Sequence, residues 1–453
     1  MKPILITLLG ILASLPVIAG KPNFIIIFTD DQGYNDLGCF GSEKIKTPNI
    51  DRLATEGRKF TSFMVPSSVC SPSRAALLTG CYPKRVGLHK HVIFPANDYG
   101  LNPKEFTIPR LFKSLGYVTA CIGKWHLGHR PAVLPTAHGF DSYFGIPYSN
   151  NMNHPDHSFS DNPFADKIWT DPAKWTKKFN VPLMEGTEII ELPVDQRTIT
   201  SRYTDRAISF ITENKDKPFF LYLAHTMPHV PLFVPDEARN PDVKNAYTCV
   251  IEHLDTEIGR MMKTVRELGL ADDTFVIVTS DNGPAPNSRN FGGSAFPLRG
   301  AKASPFEGGQ RVPCIIWAPG RIPAGTETGE LVSSMDLLPS VAAILGTELP
   351  ADRIIDGIDL SSTITGTPKK GRTEFIYYSA HGVLQGFRQG DWKLLTKGVR
   401  GVKETSLFNL ANDVEEMKNL ASKEPEKVNQ LNARMRELDT EITTNARPVW
   451  QEK

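Results

Sequence analysis

The sequence predicts an α/β fold, a mostly parallel sheet sandwiched by helices, joined to a smaller C-terminal α+β subdomain containing an antiparallel sheet. Two observations predict it. Short β-branched or aromatic runs alternate with helical patterns through roughly the first 340 residues, as they do where strands are buried between two helical layers. From about Pro350 the runs come at hairpin spacing, with no helical segment between them.

Taken in order, residues 1–20 open with Met1-Lys2, an apolar stretch from Ile4 to Ile18 and the small residues Ala19-Gly20, which is the pattern of a cleaved signal peptide. The apolar run is short for a bilayer span, and no later segment reaches the roughly 18 apolar residues a span needs, so no membrane helix is expected in the mature chain. The strands expected in the first domain, residues 21–349, are Asn23 to Phe28, Tyr117 to Ile122, Phe219 to Ala224, Phe275 to Thr279 and Val312 to Trp317. Thr47-Pro48 starts a helix over Asn49 to Glu56, and Thr107 starts another over Ile108 to Leu115 that Gly116 stops. Ile199 to Glu213, Tyr247 to Leu268 and Asp336 to Leu345 carry further helical patterns. The second domain, residues 350–453, offers Glu374 to Ser379, Val383 to Arg388 and Trp392 to Leu395 as a meander, then a polar helix around Glu424 to Leu438. Residues 147–193, rich in Asn, His, Pro and Trp, read as a long loop, and long ordered loops carry specificity.

The formal charge is +1, with acids and bases evenly spread. Neither a nucleic-acid footprint nor a polybasic membrane patch is present, so any bound anion must be held by a few local groups. The six cysteines lack CxxC spacing, which disfavours zinc. Cys121 and Cys314 sit in apolar strand runs as small hydrophobes. No Asn-x-Ser/Thr acceptor occurs. Together with the leader, this points to a secreted or periplasmic bacterial protein.

Two strands end alike: Phe24 to Thr29 runs into Asp30-Asp31, and Phe275 to Ser280 runs into Asp281-Asn282. Ligands of open α/β sheets bind beyond the carboxyl ends of strands. Carboxylates gathered there repel one another unless a cation intervenes, and all-oxygen donors favour calcium, with magnesium second. Read separately, each Asp is equally a turn former or helix cap. In Cys70-Ser71-Pro72-Ser73-Arg74-Ala75-Ala76-Leu77-Leu78-Thr79-Gly80, Ser71-Pro72 suits a helix start. Cys70 would then stand at a positive helix end, a position that favours an activated thiol. Lys124-Trp125-His126 follows one strand, and His225-Thr226-Met227-Pro228-His229 follows another.

The Cys70 run matches, position for position, the signature C-x-P-S-R-x-x-x-L-T-G, and the chain resembles the formylglycine-dependent sulfatases of the arylsulfatase A-like branch. The resemblance extends from about Pro22 to Leu407-Phe408-Asn409-Leu410 and implies an alkaline-phosphatase-like fold. It also implies hydrolysis of sulfuric esters on an aryl sulfate or a sulfated carbohydrate. A maturation enzyme, a transient partner, would oxidise Cys70 to formylglycine. The hydrate of that aldehyde would attack sulfur beside a calcium ion held by Asp30, Asp31, Cys70, Asp281 and Asn282. Arg74 would support formylglycine and metal, Lys124 and Lys302 would hold sulfate oxygens, His126 would act as base and His229 as the acid on the leaving oxygen. His225 joins the substrate-binding candidates without an assigned step. Two other readings stay open: a phosphonate or phosphate monoester hydrolase of the same superfamily, which Asp281-Asn282 in place of Asp-His disfavours, and a non-catalytic protein that binds sulfated glycans.

Overall fold

The computed structural model describes residues 20–154, 162–286, 289–367, 370–398 and 401–452, so the leader lies outside the described residues. Among the described residues no helix is long and apolar enough to cross a membrane.

The large sheet is built outward from Asn23–Thr29, which pairs in parallel with Phe219–Ala224 on one side and Thr274–Ser280 on the other. Val118–Gly123 adds in parallel to Phe219–Ala224, and Ser142–Gly145 to Val118–Gly123. On the far side Arg311–Trp317 runs antiparallel to both Thr274–Ser280 and Arg58–Met64. Every residue of Asn23–Thr29 and Thr274–Ser280 is buried, the expected state of strands covered on both faces. Side chains alternate between two cores. Ile25 and Ile27 pack under the helices Pro48–Glu56, Ile199–Glu213 and Ala246–Glu267, whereas Phe24, Ile26 and Phe28 pack under Cys70–Thr79, Ile108–Ser114 and Leu337–Ile344.

The second sheet is the expected meander, Glu374–Tyr378, Leu384–Gln389, Trp392–Leu395 and a fourth strand, Ser406–Asn409. The helix Pro425–Thr444 packs on it. The chain then turns back, and Trp450–Gln451 pairs with Tyr99–Gly100.

Two expectations need correction. Arg58–Met64 is a strand that the sequence reading passed over, because its polar residues hide a core-facing Phe60 and Phe63. The expected loop over 147–193 contains two short helices, Asp166–Thr170 and Pro172–Trp175. It also contains a hairpin, Leu183–Glu185 with Glu188–Glu191, that extends the large sheet. The six cysteines are all free; Cys121 and Cys314 are fully buried in their strands.

Candidate active site

Asp30 and Asp281 leave neighbouring strands whose last residues, Thr29 and Ser280, are register partners, so the two carboxylates emerge side by side. Gly123 and Ala224 are likewise partners at the ends of the next two strands, and Lys124 follows directly. A Cβ on Gly123 would lie 1.9 Å from the Ala224 carbonyl oxygen, so only glycine lets these strand ends close up. The helix Cys70–Thr79 points its N-terminus at the same spot. Lys302 arrives on a loop held over Asn282 at Gly283, whose N–H donates to the Gly309 carbonyl at 3.1 Å.

These side chains form one buried charge cluster. Arg74 donates from Nε and Nη2 to Asp281 Oδ2 at 3.1 and 2.9 Å, and from Nη1 to the Lys124 carbonyl at 2.9 Å. Lys124 donates to Asp30 Oδ2 and, at 3.2 Å, to Ser149 Oγ. Lys302 Nζ reaches Asp31 Oδ1 at 2.5 Å and Cys70 Sγ at 3.4 Å, and Cys70 Sγ lies 3.5 Å from Asp30 Oδ1. Asn282 Nδ2 donates to Asp31 Oδ1 at 2.7 Å.

The electrostatics divide the carboxylates. Burial opposes ionisation of Asp30, but Lys124, His229, Arg74 and Lys302 outweigh it and hold that carboxyl far below its usual range. Burial and the neighbouring Asp30 push Asp281 up to about 6 despite Arg74. The expected activation of Cys70 by its helix does not prevail. Burial, and then Asp30, push the thiol well above its ordinary value, so it stays a thiol.

Both catalytic histidine candidates have fixed tautomers. His126 Nε2 lies 3.1 Å from the Ile93 carbonyl, to which it donates, leaving Nδ1 as a buried lone pair without a hydrogen-bond partner. Burial, Lys124 and Arg74 keep this imidazole neutral. His229 Nδ1 donates to the Val230 carbonyl at 2.6 Å, so its Nε2 faces Asp31 Oδ2, 3.7 Å away. Burial and Lys302 lower His229 to about 4. Asp31 and His126 have φ of 64° and 60°, and Ala303 beside Lys302 has 65°. Left-handed backbone at non-glycine residues is costly and gathers where geometry is held for a purpose.

The structure thus brings together Asp30, Asp31, Cys70, Arg74, Lys124, His126, His229, Asp281, Asn282 and Lys302, and it leaves out His225. His225 continues the alternation of its strand onto the opposite face, where its ring packs near Tyr203 and burial with His253 lowers its pKa to about 3. Neither of its nitrogens has a hydrogen-bond partner. Sequence reasoning missed Ser149, which lies between Lys124 and the His229 ring, and Asn150, whose Oδ1 is 3.0 Å from His229 Nδ1. The only signal was their place at the start of a segment already marked for specificity.

The family model "Sulfatase" matches residues 22–347. The chain belongs to the sulfatase family. A second model, "N-sulphoglucosamine sulphohydrolase, C-terminal", matches residues 302–443 of this sulfatase. It is 38% identical to arylsulfatase A of Homo sapiens over 378 residues, 83% of this chain and 73% of the relative. It is 36% identical to N-acetylgalactosamine-6-sulfatase of Canis lupus familiaris over 79% of this chain and 68% of the relative. Among solved structures, Ps i-CgsB in complex with k-i-k-neocarrahexaose superposes with a TM-score of 0.78 at 29% identity, covering 94% of each chain. A phosphonate monoester hydrolase of Agrobacterium radiobacter shares the fold alone, at 20% identity, 93% of this chain, 96% of that one and a TM-score of 0.65. This sulfatase therefore hydrolyses sulfuric esters on an alkaline-phosphatase-like scaffold.

The family implies a metal ion and a formylglycine. The residues fit a hard cation: Asp30, Asp31 and Cys70 present ligand atoms within 4.8 Å of one another, together with His229. The buried Oδ1 of Asn282 has no hydrogen-bond partner, and the raised Asp281 carboxyl would be relieved by added positive charge.

Proposed function

We propose that this sulfatase desulfates carbohydrates through a formylglycine made from Cys70, with Ca2+ held by Asp30, Asp31, Asp281, Asn282 and the converted residue 70. The observation that carries the reading is the place of Cys70: it opens the helix Cys70–Thr79, and its Sγ lies 3.4 Å from Lys302 Nζ and 3.5 Å from Asp30 Oδ1, within the charges of an anion site. Formylglycine, once formed, supplies a hydrate with one hydroxyl to attack sulfur and a second whose deprotonation releases sulfate. A cation held by those residues would supply further positive charge for the developing anion.

The chain's own groups do the remaining work. Lys124 and Lys302 receive sulfuryl oxygens, exchanging their contacts with Asp30 and Asp31 for the ester. His126 takes a proton at Nδ1, the one ring nitrogen without a partner. His229 delivers a proton from Nε2 to the departing alcohol oxygen, and a bound sulfate ester favours its protonated form by countering Lys302. Arg74 keeps Asp281 and the Lys124 carbonyl in place. Carbohydrate is favoured as the leaving group because a sugar alcohol needs such an acid, and because the related Ps i-CgsB was solved with a neocarrahexaose. Export through residues 1–20, the division at 349/350 and a bacterial source complete the proposal.

The test is mass spectrometry of the Cys70 peptide from a host that carries the maturation enzyme. It is paired with desulfation of galactose 6-sulfate, N-acetylgalactosamine 6-sulfate and glucosamine 6-sulfate. A thiol throughout together with full turnover would overturn the formylglycine reading, and no turnover of any sulfated sugar beside good turnover of nitrophenyl sulfate would overturn the carbohydrate reading. Preferred hydrolysis of nitrophenyl phosphate would restore the phosphate-ester alternative.

A further inference from the structure

Lys302 stands at the tip of a closed loop. The Gly308 N–H donates to the Arg299 carbonyl at 2.8 Å, and a Cβ on Gly308 would lie 2.7 Å from the Gly300 carbonyl oxygen, so glycine lets the two sides of the neck close up. At the tip, the Lys302 N–H donates to the Pro284 carbonyl and the Ala303 N–H to the Ser68 carbonyl, each at 2.9 Å. Residues 301–304 are half-buried, and Ala303 among them takes a left-handed conformation that an alanine does not favour by itself. A short, half-buried turn of this kind opens readily unless its base is anchored.

The anchor is Glu416, in the turn after the strand Ser406–Asn409, and it grips both sides of the neck. Its backbone carbonyl accepts from Arg299 Nη1 at 2.8 Å, and its carboxylate Oε2 accepts the Glu307 N–H at 2.7 Å. Between those points Phe306 packs among Leu395, Val402, Phe408 and Leu410, with the Arg299 guanidinium 3.9 Å from its ring centroid. Glu416 is fully buried, at φ of 53°. Asp413 holds that conformation: its carbonyl accepts the Glu416 N–H at 3.1 Å, and its carboxylate accepts the N–H groups of Met417 and Lys418 at 3.0 and 2.8 Å. Strained backbone persists where the surroundings over-determine it, and here it serves more than one end. The ion pair with Lys393 occupies one carboxylate oxygen, which leaves the other oxygen and the carbonyl to the neck.

We infer that Glu416 is a positioning residue for the reaction, which acts through this loop to fix Lys302 against the sulfuryl group. The inference rests on the role given to Lys302 above and names what holds that lysine in place. Lys302 Nζ meets Asp31 Oδ1 and Cys70 Sγ at the end of a long side chain, so its aim depends on where the neck sits. A misplacement of about 1 Å can cost about 100-fold in rate. The smaller sheet thereby becomes part of what sets the geometry around residue 70.

Amide hydrogen exchange tests this without turnover. In Glu416→Ala the peptide spanning residues 300–305 should exchange about tenfold faster, while the strand Thr274–Ser280 keeps its rate. Arg299→Met, made at an exposed side chain, should quicken the same peptide about threefold or more, so the test stands even if Glu416→Ala misfolds. Glu416→Gln, which keeps an oxygen for the Glu307 N–H, should exchange like the wild type. Turnover then supplies the link to Lys302. In matured protein Glu416→Ala should lower kcat/KM for nitrophenyl sulfate by about 10- to 100-fold and Arg299→Met by about 3- to 10-fold, and neither should lower it by more than about twofold once Lys302 is replaced by Met. Unchanged exchange of the loop, an equal rise in loop and strand, or the same loss of kcat/KM with and without Lys302 overturns the inference. If Lys302→Met itself leaves kcat/KM unchanged, the role of Lys302 has failed and the inference falls with it, and the exchange data tell the two failures apart.

Discussion

Two clusters of buried charge stand in this molecule, and they are built to opposite ends. The first surrounds Cys70: Asp30, Asp31 and Asp281 face Arg74, Lys124 and Lys302. The second joins the two sheets. Lys393 Nζ lies 2.9 Å from Glu307 Oε1 and 2.8 Å from Glu416 Oε1, with Arg388 and Arg311 each 3.6 Å from Glu307 Oε2. The Tyr377 hydroxyl donates to Glu307 Oε1 at 2.7 Å, and the Glu307 N–H donates to Glu416 Oε2 at 2.7 Å. Both clusters are largely buried and both contain left-handed residues, Glu416 with φ of 53° among them. What differs is placement. The second cluster lies where the two sheets meet, with Lys393, Arg388 and Arg311 on strands, and its Glu307 Oε2 and Glu416 Oε1 are faced by cations without a hydrogen bond. The first leaves Asn282 Oδ1 and His126 Nδ1 without partners, and its lysines reach in from the chain after a strand and from a loop. Unpartnered atoms occur in both clusters; the convergence of strand ends and the partly exposed Lys302 mark the one that accepts a ligand.

The largest effect should come from Cys70→Ala. Nitrophenyl sulfate turnover by protein from a maturing host is expected to fall by about 10,000-fold or more, since the nucleophile is lost. The urea midpoint should move little, because one small side chain is removed. Residual activity near wild type would mean that the first cluster is structural like the second.

The mirror experiment is Lys393→Met. It removes the cation between Glu307 and Glu416 and leaves Glu416 without its ion-pair partner, so about 3–5 kcal/mol of unfolding free energy should disappear. A loss below about 1 kcal/mol would show that the cluster between the two sheets is solvated and the contrast false.

Lys302→Met discriminates more finely. In calcium-loaded protein it should cost about 100- to 1,000-fold in kcat/KM, as the loss of one preorganised charge on an oxyanion does. Stability should hold within about 1 kcal/mol, since the carboxylate it released is available to the cation. A stability loss matching that of Lys393→Met would place Lys302 in the same class as Lys393.

The same contrast explains what could be read from sequence. The strand ends at Asp30 and Asp281 were legible because buried parallel strands are continuous apolar runs, and Cys70 and Arg74 because a helix start and a dense motif coincide. Ser149 and Asn150 were not, since they lie in a segment without periodicity and acquire meaning only through contacts with Lys124 and His229. His225 misled because a position next to a strand end does not say which face the side chain takes. Lys393 and Glu416 were invisible for a different reason: a charged residue in a polar stretch reads as surface, and only the packing of one sheet against the other buries it.

The smallest effect concerns pH. Burial pushes the Glu416 carboxyl from 4.5 up to about 7, against the pull of Lys393 and with added repulsion from Glu307. Its folded pKa is thus raised above the unfolded value. The folded chain holds that proton more tightly, and the contribution is fully present below about pH 4.5 and lost as pH rises through about 7. Glu307 works the other way: Lys393, Arg388 and Arg311 outweigh burial and hold it at about 2, so its contribution fades only in strong acid, outside this window. Between pH 5 and 8 Glu416 is therefore the member of this pair that titrates, and its own contribution, about 1–3 kcal/mol, should be lost on going up. Urea midpoints of wild type and Glu416→Gln, measured across that range, isolate the term. The difference between the two curves should slope downward with pH, because glutamine has no proton to lose. A flat difference would mean that Glu416 is already ionised and paired like Glu307, and the second cluster would then be as charged as the first.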